Sequence, residues 1–139
     1  MGKRLHAALI ETSAAHEKSS WAEFRKLNLS PGQPKVLTSL LYKEGYLQKE
    51  LAEFCHVEPA TMAVLLANME KKGLIRKEIT HVSGGKRAYR VYLTQLGRHL
   101  AEKVNAVVCE VEERGYRDFT EEEKEQLTVL LERVTKNLM

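Results

Sequence analysis

Much of what a catalytic, metal-binding or membrane protein needs is missing from this chain. No serine sits between glycines in a nucleophile turn, and neither cysteine has an evident histidine and acid to activate it. The paired glycines Gly84 and Gly85 fall between two alternating apolar segments, so they mark a hairpin tip rather than a phosphate-cradling loop. The histidines (His6, His16, His56, His81, His99) lack metal-ligand spacing. His99 and Glu102 lie one helical turn apart, but the neighbouring Lys103 would repel a cation. These absences predict no enzyme, no metal and no cofactor. Cys55 and Cys109 are too few and too distant for a disulfide framework, which points to a reducing cytoplasm. Cys55 reads as a small core hydrophobe, and Glu110 and Glu113 beside Cys109 oppose thiolate formation. No apolar run is long enough to cross a bilayer, and the N-terminal apolar patch meets Glu11 too soon for a signal peptide, so no membrane partner is expected.

What is present fits one soluble globular domain. The 139 residues are 43% hydrophobic and 29% charged, with a formal charge of only +3. The charge is unevenly placed. Between residues 71 and 90, seven bases (Lys71, Lys72, Arg76, Lys77, Lys86, Arg87, Arg90) face the single acid Glu78, whereas from Glu110 onward nine acids outnumber five bases. A basic lobe and an acidic end imply a polyanion bound at one place.

Apolar spacing predicts a helix from residue 3 to about 27, carrying Leu5, Ala8, Leu9, Ala15, Trp21, Phe24 and Leu27. Ser30, Pro31 and Gln33 have the pattern of a capping box for the next helix, with Leu37, Leu40 and Leu41 inward and Gly45 closing it. Pro34 removes a backbone donor there, which predicts an irregular or delayed first turn. A short helix over 47–54 turns inward Leu47, Leu51, Ala52 and Cys55, and His56 suits a left-handed turn into EPATMAVLLANMEKKG. Two helices so joined form a helix-turn-helix. LIRKEIT, HVSGGK and RAYRVYL then read as strand, hairpin tip and strand, with Tyr89, Val91 and Leu93 alternating against Arg90 and Tyr92: a β wing. Thr94 caps a helix over 95–114 bearing Leu96, Leu100, Val104, Val107, Val108 and Val111. A Thr120–Glu123 box opens the last helix, with Leu127, Leu130, Leu131, Val134 and Leu138. The fold class is mainly α, an α+β winged helix-turn-helix. Terminal helices with apolar stripes and little local partner predict a symmetric homodimer.

This order of elements resembles the MarR family of winged-helix regulators. The resemblance rests on LSPGQPKVLTSLL, KELAEFCHVEPATMAVLLANMEKKGLIRK and KRAYRVYLTQLGRHL, about residues 29 to 100. It implies a single MarR-like domain over 1–139, with a DNA-binding lobe at 30–93 and dimerisation helices at 1–28 and 95–139. It further implies a palindromic double-stranded DNA operator and control by a small aromatic or amphipathic effector, or by cysteine oxidation. Arg87 matches the family's wing arginine, yet Gly85 stands where the family usually has the acid that orients it. Ala63 and Val64 stand where relatives often have polar or basic residues.

At 100° per residue, Met62, Leu65, Leu66 and Met69 face the core. The other side shows Ala60, Val64, Ala67, Asn68 and Lys71, flanked by Thr61 and Ala63. Small apolar groups suit thymine methyls, Thr61 can reach a base edge or phosphate, and Asn68 can pair with adenine. Phosphate contacts are assigned to Lys49, Lys71, Lys72, Arg76, Lys86 and Arg90, and the minor groove to Arg87. An A/T-leaning site read partly by shape is expected. For the effector, Trp21, Phe24, Tyr42 and Tyr46, with Tyr116, form the candidate pocket, against the alternative of core or interface aromatics. Two other readings stay open: a protein-docking module using the Ala/Val face, and a metal- or ligand-sensing dimer with weak DNA affinity.

Overall fold

A computed structural model describes residues 2 and 4–139. Helix α1 (Leu5–Lys26) begins two residues later than its spacing predicts, and Lys3 lies outside the described residues. Only Ser20 and Phe24 of α1 are buried, while Leu5 and Leu9 of the predicted stripe are exposed within one chain.

The predicted Ser30 box is half formed. Helix α2 (Gln33–Tyr42) starts at Gln33, after Gly32 at φ 91°, with Pro34 in its first turn. The Gln33 side chain still reaches back to accept from the Ser30 N–H at 3.0 Å. Pro34 and the left-handed Gly32 explain the delayed start, since the proline has no donor for an earlier turn. Strand β1 (Tyr46–Leu47) has no counterpart in the sequence reading, which placed Leu47 in a helix. Helix α3 (Gln48–Cys55) follows at once, and Glu50 Oε1 accepts from the Leu47 N–H at 2.8 Å. Helix α4 (Pro59–Lys71) leads into strands β2 (Ile75–His81) and β3 (Arg87–Leu93). The sheet order is β1-β3-β2, all antiparallel, with Tyr46 opposite Val91 and Ile75 opposite Leu93. Val91 and Leu93 are buried as alternation predicts, but Tyr89 is exposed because the hairpin there has passed beyond the core.

Helix α5 (Gln95–Gly115) is capped by Thr94, whose Oγ1 accepts from the Gly97 N–H at 3.0 Å. Its buried positions are Gly97, Ala101, Val104 and Val111, while Leu96 of the predicted stripe is 57% exposed. Helix α6 (Glu121–Leu138) has the predicted Thr120–Glu123 capping box and buries no residue. The core gathers Phe24 of α1, Val36, Leu37 and Leu40 of α2, Leu51 of α3, Leu66 and Met69 of α4, and Ala101 and Val104 of α5. The helix-turn-helix, the sheet and the long helix behind them are therefore packed around one core.

Candidate nucleic-acid interface

The turn between α3 and α4 places everything that follows. His56 takes the predicted left-handed conformation (φ 54°, ψ 47°), and the Val57 N–H returns to the Ala52 carbonyl at 3.0 Å. This closes α3 and redirects the chain. The Lys35 Nζ donates to the Cys55 carbonyl at 3.2 Å, holding α2 to the same corner.

On α4, Met62, Leu65, Leu66 and Met69 are all buried, as their spacing predicts. Ala60, Thr61, Ala63, Val64, Ala67, Asn68 and Lys71 are exposed. Val64, 71% exposed, is the largest apolar group on that face. The rest is short enough for the helix backbone to approach a groove wall.

The wing tip is a tight turn. The Val82 N–H donates to Lys86 and the Gly85 N–H donates to Val82, both at 2.9 Å, with Gly84 and Gly85 at φ 79° and 74°. Those positive angles account for the glycine pair. Arg87 begins β3 opposite His81 and is exposed on the wing.

The cations named from sequence divide into two groups. Lys49, Lys71, Lys86 and Arg87 are exposed and engage no partner among the described residues. Three others are committed within the fold. Arg76 pairs with Glu78 at 2.5 Å and lies 4.5 Å from the Tyr92 ring centroid. Lys72 Nζ donates to the Asn28 carbonyl at 3.0 Å, and Arg90 Nη1 donates to the Gly45 carbonyl at 2.9 Å. The sequence assigns all three to phosphate contacts. Arg76 shares its charge with Glu78 at the exposed surface, and the Lys72 ammonium and Arg90 guanidinium are held at fixed positions by backbone carbonyls.

Asn68 is also held. Its Oδ1 accepts from Gln33 Nε2 at 2.9 Å, so it is neither merely solvated nor free to use both amide ends on adenine. Sequence reasoning missed Gln33 as a partner, because the two residues are 35 apart and nothing local pairs them.

The aromatic set is dispersed. Phe24 and Tyr46 are core residues, Trp21 packs half-buried against that core, and Tyr42 is 82% exposed. Tyr46 belongs to β1 and has Phe54 as its ring neighbour at 5.6 Å, and Tyr116 stacks instead near Phe119. Cys55 is buried with Ser39 Oγ 3.4 Å from its Sγ, and burial pushes its thiol above the usual range. Cys109 is exposed on α5. No helix among the described residues is long and apolar enough to cross a membrane.

Known proteins share this arrangement. The MarR family model matches residues 29–83, which span the α2 entry, the helix-turn-helix and the first wing strand. An HTH-type transcriptional regulator of Bacillus subtilis, YybA, is 30% identical over 116 residues, covering 84% of this chain and 76% of the relative. The transcriptional regulator HosA of Escherichia coli O157:H7 is 30% identical over 107 residues, 77% of this chain and 78% of its own. A MarR-family regulator from Listeria monocytogenes, solved in complex with a 26-mer DNA, superposes with a TM-score of 0.84 at 26% identity, covering 99% of this chain and 90% of that one. By sequence and by fold, the chain belongs to the MarR family of transcriptional regulators.

Proposed function

We propose that the protein is a homodimeric repressor that binds a palindromic double-stranded DNA operator and lets it go when a small aromatic or amphipathic molecule binds. The observation that carries this reading is the placement of the four uncommitted cations. Lys49, Lys71, Lys86 and Arg87 lie on α3, the end of α4 and the wing, around a helix face of small residues. Cations without internal partners attract phosphates, and short side chains let the helix reach base edges. The Listeria relative solved with DNA supports the same partner.

Dimerisation is supported by the terminal helices. Leu127, Leu130 and Leu131 of α6, with Leu5 and Leu9 of α1, are exposed apolar groups at helical spacing. A two-fold pairing would cover them and set two α4 helices about one DNA turn apart. For the effector, Phe24 and Tyr46 are buried in the core, which leaves the exposed Tyr42 and the half-buried Trp21 and Tyr116 of the aromatic set. A reader of chromosomal DNA with an unpaired, buried Cys55 works in the reducing cytoplasm.

Arg87→Ala tests the wing. Operator affinity should fall by roughly tenfold, and the slope of log affinity against log salt should shallow by about one, because one phosphate-proximal charge is removed. The measurement is fluorescence anisotropy over a salt series on a duplex selected from a random library. Wild-type affinity and slope in the variant would refute the wing's role. A wild-type protein that binds no duplex would favour protein docking on the Val64 face instead.

A further inference from the structure

The recognition helix carries an amide whose two ends are inequivalent. Asn68 lies one turn beyond Val64 on the exposed face of α4, with its Oδ1 accepting from Gln33 Nε2 at 2.9 Å. Gln33 is fully buried in the first turn of α2. Two groups that can only donate fix which way its amide points: the Ser30 backbone N–H at 3.0 Å and the Lys72 ammonium at 3.5 Å, both directed at Oε1. An NH2 group cannot answer either of them. Oε1 therefore faces these donors, Nε2 faces Asn68, and Asn68 must answer with its oxygen. The Asn68 Nδ2, with two N–H groups, is the end left for the outer face, and no described residue accepts from it.

We propose that Gln33 sets Asn68 as a donor-only reader in the major groove, which the acceptors of guanine (O6, N7), thymine (O4) and adenine (N7) can answer and cytosine, with only its N4 amino donor there, cannot. The inference rests on α4 being a base reader. Part of the specificity then belongs to a buried residue outside the recognition helix that touches no DNA. Gln33 is a positioning residue acting through Asn68.

The polarity can be reversed without altering the DNA-facing residue. In Gln33→Glu, a carboxylate still accepts from Ser30 but offers Asn68 only another acceptor. Asn68 then turns its amide, donates inward and presents Oδ1 outward, while the nearby Lys72 offsets the new charge. The experiment selects random duplexes at one salt concentration with wild type, Asn68→Ala and Gln33→Glu, and compares base preferences position by position. Wild type should disfavour cytosine at one position per half-site by about fivefold, the worth of one neutral hydrogen bond. Asn68→Ala should lose that discrimination at that position alone, and Gln33→Glu should favour a base with an amino donor, cytosine or adenine, there. Should Gln33→Glu fail to fold by its melting curve, Gln33→Met serves: it releases the amide, and cytosine should become admitted there. Asn68→Ala keeping the wild-type preference at every position overturns the proposal, as does an unchanged preference in whichever Gln33 variant folds. If wild type enriches no sequence, base reading by α4 itself has failed, an outcome distinct from a wild-type motif that ignores Asn68.

Discussion

Gly97→Ala should destabilise the protein by about 3 kcal/mol or more, at the upper end of what overpacking costs. Helix propensity alone predicts the opposite sign, since alanine is favoured over glycine within a helix by about 1 kcal/mol. Packing decides the matter. A Cβ at Gly97 would stand 1.8 Å from the Leu74 carbonyl oxygen and 2.8 Å from its carbon, which are backbone atoms with no rotamer to yield. That carbonyl also accepts from the Thr94 N–H at 3.1 Å, and Thr94 Oγ1 donates to the Gly73 carbonyl at 2.6 Å. The first turn of α5 is thus seated directly on the link between α4 and β2, and a methyl group would lift it off. A fall of roughly 10 °C in melting midpoint is the expected reading. Gly73→Ala is the control: Gly73 has φ +76° but nothing within 4 Å of a Cβ, so only conformational strain of about 1–2 kcal/mol should appear. A Gly97→Ala protein as stable as wild type would mean that α5 does not seat there.

Val64→Glu should lower operator affinity by at least roughly a hundredfold, the equivalent of about 2.8 kcal/mol. Val64 is 71% exposed and contributes nothing to the core, so stability should change by no more than about 0.5 kcal/mol. The loss would come from bringing a carboxylate into a groove walled by phosphates, where like charges brought together cost several kcal/mol. Electrophoretic mobility shift with a selected duplex, alongside a thermal melt, separates the two effects. Unchanged affinity would place the DNA away from this face.

Much of the reading lobe was legible in the sequence because its signals are local and periodic. Met62, Leu65, Leu66 and Met69 recur at helical spacing, and all four are buried. His56 could be placed in the turn because few non-glycine residues tolerate the left-handed region it occupies. Strand β1 was not legible: two residues, Tyr46 and Leu47, cannot show an alternation, and only their pairing with Val91 and Arg90 defines them. Gly97 left no trace either, since its role depends on a carbonyl 23 positions away that no periodicity reports. The candidate site was legible in membership but not in availability. Arg76, Lys72 and Arg90 are basic residues in a basic segment, and only the folded arrangement shows Glu78, Asn28 and Gly45 engaging them.

Helix α6 has 18 residues, a three-glutamate first turn and no buried side chain. In proteins most of a helix's stability comes from packing its apolar face rather than from propensity. In the proposed dimer its helicity therefore depends on mass action. As the protein is diluted, α6 should fray before the lobe built on Leu37, Leu66 and Val91 loosens, and a protease should cut there first. The cell's content of this chain would then set how much of the population is assembled, so scarce protomers would be both non-binding and short-lived.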